Sequence, residues 1–304
     1  MASFSTVSLM RETPDVVRRF VDFYRAAGAD EIFVYTDGPA PELRGLDLPG
    51  LVLIEADEGF WTALLGARPP VLEVRQSEVS QDALRRCRSD WLLVCDADEF
   101  VFGDRPITAF LDAIPAGEDS VAVATAEAVW GPGDAIDTPF GSTHFRVVWR
   151  RHKLWRGLGG LVYGRPIARH MQLGLTGHVS GKQFLRTGRT YSWIRNHSAE
   201  RDGKGITTPA FRVDPGLAAM YVGHYDAIGL ARWRQKWRQR IERDTIAANM
   251  TENRQAQMRM IADGLAAGEA PTRALFRAFY GLSRAQYAAI SALGYGFRRE
   301  IFPS

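Results

Sequence analysis

The sequence predicts an open, mostly parallel α/β sheet flanked by helices, with a helical C-terminal extension, on three observations. Short apolar runs alternate with helix-period segments through the first third of the chain, which is how a sheet built from βαβ crossovers is written. The run Trp91-Leu92-Leu93-Val94-Cys95 reads as a fully buried central strand. It stops on Asp96-Ala97-Asp98-Glu99-Phe100, which puts three carboxylates within four positions at its carboxyl end. Beyond Tyr225 the pattern becomes mostly helical.

Phe4 to Leu9 is the first expected strand. Thr13 then offers an N-cap and Pro14 a first helical position; Val16, Val17, Phe20, Phe23, Tyr24 and Ala27 recur on one face, and Gly28 ends the helix. Ile32 to Tyr35 is a second strand that runs into the turn residues Thr36-Asp37-Gly38-Pro39, and Leu51 to Ile54 is a third. From Arg75 to Cys87 the positions Val79, Ala83, Leu84 and Cys87 repeat at helical spacing ahead of the Trp91 strand. Asp104 can cap a helix carrying Ile107, Phe110, Leu111 and Ile114, and Ser120 to Ala126 is the next strand. Gly- and Trp-rich loops follow, Gly131-Pro132-Gly133 and Gly157-Leu158-Gly159-Gly160 among them, with strand-like pieces at Thr143 to Trp149 and Arg165 to Arg169. The helical part opens with a basic segment from Ile228 to Asn249, continues from Glu252 to Ala267, and closes with two short helices up to Leu293. With no internal repeat and no low-complexity linker, the expected division is one catalytic unit over 1–226 and an extension over 227–304.

In 304 residues, 46% hydrophobic, 24% charged and 11% aromatic content excludes disordered, collagen-like and coiled-coil classes. Thirty-eight Lys plus Arg against 35 Asp plus Glu leave +3, too weak a bias for a nucleic-acid footprint over the chain, so no nucleic-acid partner is expected. Cys87 and Cys95 cannot make a disulfide framework and lack companions at zinc-ligand spacing, which points to a reducing compartment. Met1 to Arg11 lacks the pattern of a signal peptide, and no window holds about eighteen uninterrupted apolar residues. The expected location is therefore cytoplasmic, with a peripheral membrane contact as an option. Asn196-His197-Ser198 and Asn249-Met250-Thr251 fit the glycosylation sequon and in this setting read as chance matches.

Asp96 and Asp98, at the mouth of a buried strand, can turn their oxygens toward one space if the strand unwinds there into a turn. Like charges so close need a cation, and hard oxygen ligands with open positions suit Mg²⁺ or Mn²⁺ shared with a substrate's phosphates. The competing explanation is that the acids cap the next element or pair with nearby arginines. Two carboxylates alone make a weak motif. Their place after a core strand, at the edge where open α/β sheets hold ligands, strengthens it.

The stretch Gln76…Cys87…Trp91-Leu-Leu-Val-Cys-Asp96-Ala-Asp98-Glu99-Phe100 resembles the Asp-x-Asp-Glu-Phe region of GT-A-fold glycosyltransferases of the family 2 and family 92 type. The first strand, its helix and Ala29-Asp30-Glu31-Ile32-Phe33-Val34-Tyr35-Thr36-Asp37 are similar to that family's nucleotide-binding start. Arg165-Pro-Ile-Ala-Arg169, with His178 after it, is similar to a basic strand of those proteins, and Gly223-His224-Tyr225 to their His-Tyr element before a helix. The resemblance spans residues 4–240 and is concentrated at the Asp-x-Asp segment. It implies a GT-A, Rossmann-like fold with a nucleotide-sugar half over about 1–103 and an acceptor half over about 104–226. It also implies a metal-dependent enzyme of polysaccharide biosynthesis that moves a sugar, with inversion, from a nucleotide diphosphate sugar to a glycan or lipid-linked acceptor, the donor being UDP-linked. Charge rises on the departing diphosphate, so a divalent ion and basic groups stabilise the transition state more than the ground state. By resemblance Asp98 is the direct metal ligand, Asp96 touches the ribose or the metal through water, and His224 supplies a further metal ligand. Met10, Arg11 and Gln76 fall with Asp96 in the nucleotide-binding part.

Other residues carry two readings each. Asp37 is placed to accept the imide N–H of uracil, or is a turn-forming Asp before Gly-Pro. Arg11 reaches the base or phosphates, or is a solvated loop cation. Arg165 and Arg169 share one face if they lie on a strand, where an arginine fork suits phosphate; surface solvation is the rival. For the carboxylate base of an inverting transfer the candidates are Glu127, Asp134, Asp137 and Asp202. Trp130, Trp149, Trp155 and Trp193 offer flat faces for sugar rings, although large aromatics are more often core. Arg232 to Arg243 set six basic residues against the single acid Glu242, with Trp233 and Trp237 four apart on one face. Such a helix either lies on an anionic membrane or packs its Trp side on the domain. The aromatic tail from Ala274 to Phe302 packs as a helical pair, forms a homodimer or touches lipid. Two other functions stay open: a metal-dependent phosphohydrolase or nucleotidyltransferase using the same acids, and a non-catalytic carbohydrate-binding relative.

Overall fold

Six of the seven residues of the first strand are buried, the pattern of a strand covered on both faces. The computed structural model describes residues 1–242 and 252–302; Arg243 and the sequon Asn249-Met250-Thr251 lie outside the described residues. In chain order the elements are β1 (Phe4–Met10), α1 (Pro14–Ala26), β2 (Ile32–Thr36), β3 (Leu51–Glu55), α2 (Glu58–Leu65), α3 (Leu72–Arg86), β4 (Trp91–Val94), β5 (Glu99–Phe102), α4 (Ile107–Asp112) and β6 (Ser120–Val129). There follow β7 (His144–Val147), α5 (His152–Tyr163), α6 (Arg165–Ala168) and β8 (Lys182–Arg186), and after them, among the described residues, short strands and four longer helices. The chain is a mixed α/β protein with a largely parallel central sheet flanked by helices.

Two compact units divide it, 1–124 with 180–222 and 125–179 with 223–304. Compactness thus alternates along the chain, where the sequence suggests a single break after residue 226.

In the first unit β1 lies parallel between β2 and β4, and β2 is parallel to β3. The order β3-β2-β1-β4 means that the chain leaves β1 on one side and returns on the other. The crevice between the carboxyl ends of β1 and β4 is therefore a topological switch point, where open α/β sheets bind ligands. Beyond β4 the sheet changes sense: β8 is antiparallel both to β4 and to the first half of β6. Gly181 makes that approach feasible, since a Cβ there would lie 1.6 Å from the carbonyl oxygen of Val123. On α1 the face Val16, Val17, Phe20, Val21 and Tyr24 is buried as its spacing predicts, and Gly28 follows the helix at φ 92°, a conformation that favours glycine. The N-cap of α4 is Pro106 and not Asp104.

In the second unit β7 is antiparallel to the second half of β6, and Gly296–Arg298 is antiparallel to β7. Its core gathers Trp130, Trp149, Trp233, Trp237, Phe276 and Phe279. Trp149 stacks on Tyr295 at 4.6 Å, and Trp130 meets Phe276 edge-on at 5.2 Å, so both are core residues and not sugar platforms. The basic helix Leu230–Glu242 buries Trp233 and Trp237 to 1% exposure each; its aromatic face is packed on the domain, which corrects the membrane reading of that helix. Trp237→Ala is expected to cost about 3–5 kcal/mol against less than about 0.5 kcal/mol for Arg238→Ala on the exposed face, read from urea midpoints. Among the described residues no helix is long and apolar enough to cross a membrane.

The segment after Arg150 departs most from expectation. Gly157, Gly159 and Gly160 suggest a loop, yet α5 forms because Trp155, Leu158, Val162 and Tyr163 pack on the core. Arg165 to Arg169 is helical and not a strand. Gly164 turns the chain at φ 79°, Pro166 occupies an early helical position, and the Arg169 N–H reaches the Arg165 carbonyl at 3.4 Å.

Candidate active site

The sheet ladder between β1 and β4 ends where the Cys95 N–H donates to the Val7 carbonyl at 3.1 Å. The chain then folds into a tight turn: the Glu99 N–H donates to the Asp96 carbonyl at 3.1 Å, and the Glu99 carboxylate accepts from the Asp96 N–H at 2.8 Å. This is the unwinding that paired carboxylates at the end of a strand require, and it sits at the carboxyl edge of the switch-point strand. Behind the turn Tyr24 Oη donates to the Glu99 carbonyl at 2.9 Å. Burial pushes the Cys95 thiol, which meets Thr6 Oγ1 at 3.1 Å, up to about 12.

Sequence reading missed the residue that organises this turn. Lys182, the first residue of β8, places Nζ 2.6 Å from Asp96 Oδ2 and 2.9 Å from Glu99 Oε2, with Lys182 and Glu99 fully buried and Asp96 33% exposed. Burial pulls the Lys182 pKa down, but the Asp96 and Glu99 carboxylates outweigh it and hold the ammonium above the ordinary lysine range. Asn196 Nδ2 lies 3.5 Å from the other Asp96 oxygen. An ammonium thus stands against Asp96 where the sequence suggests a metal, so Asp96 is a positioned hydrogen-bond acceptor rather than an open ligand. Asp98, half-buried in the same turn, is the second aspartate of the motif. With three carboxylates and one ammonium the cluster carries a formal −2. Hard oxygen donors with that excess fit Mg²⁺ or Mn²⁺.

At the end of the neighbouring β2, Asp37 holds two guanidiniums. Arg75 Nε and Arg68 Nη2 reach Oδ1 at 2.9 and 2.7 Å, and Arg75 Nη2 reaches Oδ2 at 3.1 Å. Burial raises the Asp37 pKa, but the hydrogen bonds from Arg75 and Arg68 outweigh it and leave the carboxyl below its usual range. A uracil imide would have to share an acceptor already engaged twice. The Met10 side chain is buried, and its carbonyl accepts from the Asp37 N–H at 2.9 Å. Arg11 is exposed just past β1, and Gln76 is half-buried on α3, one residue after Arg75.

The second unit holds the other sequence candidates. Glu127, on β6, is fully buried. It accepts from Arg146 Nε and Nη2 at 2.8 and 2.5 Å and from the N–H groups of Thr176 and Gly177 at 3.0 and 2.6 Å. Burial lowers the Arg146 pKa, but Glu127 outweighs it and keeps the guanidinium charged. A carboxylate engaged so fully anchors the 176–177 loop and has no oxygen to offer as a base. Gly177 permits the fit, since a Cβ there would lie 3.2 Å from Glu127 Oε1 and 3.3 Å from His224 Cε1. His224 is buried at the end of strand Tyr221–His224 and stacks on His178, ring centroids 4.8 Å apart. Both are imidazole donors of the kind that bind transition metals.

Asp137 is exposed and forms a bidentate pair with Arg273 at 3.0 and 3.2 Å. Asp134 meets His144 Nδ1 at 2.9 Å and the Gly131 N–H at 2.8 Å. In the first unit Asp202 sits at φ 51° in an exposed hairpin turn before Gly203, which makes it a turn former. Arg165 and Arg169 are exposed on α6.

No family model and no curated protein matches the chain. Among solved structures it is similar to S. aureus TarS 1–349 in complex with UDP-GlcNAc, with a TM-score of 0.32 and 13% identity over 93% of this chain and 74% of that one. For TarS 1–349 alone the TM-score is 0.30 at 11% identity, and for its complex with UDP 0.30 at 13%, each over 84% of this chain and 69% of that one. Likeness at these TM-scores fixes neither fold nor function; the α/β assignment stands on the strand pairing.

Proposed function

We propose that this chain is a metal-dependent glycosyltransferase that takes a sugar from a nucleotide diphosphate sugar, UDP-linked, and passes it with inversion to a glycan or lipid-linked acceptor. The observation that carries this reading is the Asp96–Glu99 turn at the switch point between β1 and β4, with its formal −2. Mg²⁺ or Mn²⁺ bound there would supply Lewis-acid stabilisation to a departing diphosphate. Asp98 is the proposed direct ligand. Asp96, fixed by Lys182, keeps an acceptor for a ribose hydroxyl. The Arg68 and Arg75 guanidiniums, oriented by Asp37, supply positive charge for base or phosphate oxygens at the adjoining strand end. His224 stays a proposed nitrogen ligand. Glu127 is set aside as a base on its burial, while Asp134 and Asp137 are already paired with His144 and Arg273.

Calorimetry against UDP-, GDP- and CMP-sugars with and without Mn²⁺ tests the reading. One UDP-sugar is expected to bind only when Mn²⁺ is present. Binding of no nucleotide sugar under either condition overturns the proposal, and Mn²⁺-dependent cleavage of a phosphate ester without sugar binding moves it to the phosphohydrolase class.

A further inference from the structure

We propose that the outward face of α5 and α6 docks on an anionic lipid surface. The stretch 150–178 holds six Lys or Arg residues and no Asp or Glu, twice the +3 excess of the whole chain. Arg151, Lys153, Arg156, Arg165 and Arg169 are all exposed, and no ion pair joins any of them to an acid among the described residues. Arg169 donates to the His170 imidazole at 3.0 Å.

The helix orientation is set by its inner side. Gly159 and Tyr163 are buried, and a Cβ on Gly159 would lie 2.7 Å from the Trp155 ring, so this edge packs closely. Lys153, Gly157 and Leu161, spaced i, i+4, i+8, therefore share the outward side. Gly157 has nothing within 4 Å of an added Cβ, and Leu161 is 79% exposed, among the described residues the most exposed large apolar side chain after Met1. Leu154 and Leu158 flank it, half-buried against the core. A protruding leucine on a helix whose exposed cations meet no acid among the described residues is the arrangement of an interfacial helix, whose apolar residues enter the acyl boundary while Lys and Arg meet anionic headgroups. A soluble polyanion would account for the cations and leave Leu161 in water, so a lipid surface is the occupant that uses both features. The basic helix Leu230–Glu242 does not offer this combination, because its tryptophans are core.

Sedimentation of the full chain with vesicles tests the proposal. The protein is expected to bind phosphatidylglycerol–phosphatidylcholine vesicles at least about tenfold more tightly than phosphatidylcholine alone, and to be released at high ionic strength. Leu161→Asp is expected to weaken binding about tenfold or more, and Lys153→Glu with Arg156→Glu to do so at least equally, with unchanged circular dichroism because all three positions are exposed. Failure to bind phosphatidylglycerol vesicles, or binding indifferent to both sets of substitutions, overturns it. Equal capture by heparin with no effect of Leu161→Asp would assign the face to a polyanion and overturn it as well.

Discussion

Lys182→Met is expected to destabilise the chain by about 3–5 kcal/mol, the usual consequence of removing one partner of a buried ion pair. Methionine fills the same space, so the loss is electrostatic: buried Glu99 and its neighbour Asp96 lose the ammonium that meets both of them. Urea midpoints read the effect. Lys182→Met combined with Glu99→Gln is expected to recover a large part of it, since discharging both partners removes the uncompensated charge. The pH dependence has a defined sign. Because the folded pKa of Lys182 is raised, its contribution is fully present below the unfolded lysine value of about 10.4 and is lost only as pH rises through the folded one. Wild-type stability should therefore be level with respect to Lys182 from pH 6 to about 9. A single variant within about 1 kcal/mol of wild type would show that the Asp96–Lys182–Glu99 cluster is not the electrostatic keystone of the turn.

The parallel half of the sheet was legible because each of its strands announces itself locally. Phe4 to Met10, Ile32 to Thr36, Leu51 to Glu55 and Trp91 to Val94 are short apolar runs bounded by turn residues, and between them α1 shows an unbroken helical face. The acid turn was legible for the same reason. Lys182 was not, because it lies 86 residues after Asp96 and nothing in Gly181-Lys182-Gln183 marks it as buried. Only the antiparallel insertion of β8 beside β4 brings it to the turn. Glu127 shows the converse: its place at a strand end suggested a base, whereas a partner 19 residues on, Arg146, makes it structural. In α5 three glycines argued for a loop, and packing of Trp155 and Tyr163 on the core overrode that local preference.

Asp98→Asn is expected to abolish Mn²⁺-dependent binding of the donor, by at least about 100-fold, and to lower transfer by about three orders of magnitude. The substitution keeps the shape of the side chain and removes one formal charge, so the cluster's −2 falls to −1 and no longer matches a divalent ion. Stability should fall less than in Asp96→Asn, because the hydrogen bonds that define the turn run between Asp96 and Glu99. Asp96→Asn provides the contrast. It removes a charge that Lys182 meets at 2.6 Å, so it should lose stability along with binding. The two aspartates are two residues apart in the chain, and Asp96 is the one that Lys182 Nζ meets at 2.6 Å. Calorimetric titration of Mn²⁺ with UDP-sugar, run beside urea denaturation on both variants, separates the roles. Donor binding by Asp98→Asn at the wild-type affinity and metal dependence would remove Asp98 from the metal site, and with it the reading of the Asp-x-Asp turn as the place where the diphosphate departs.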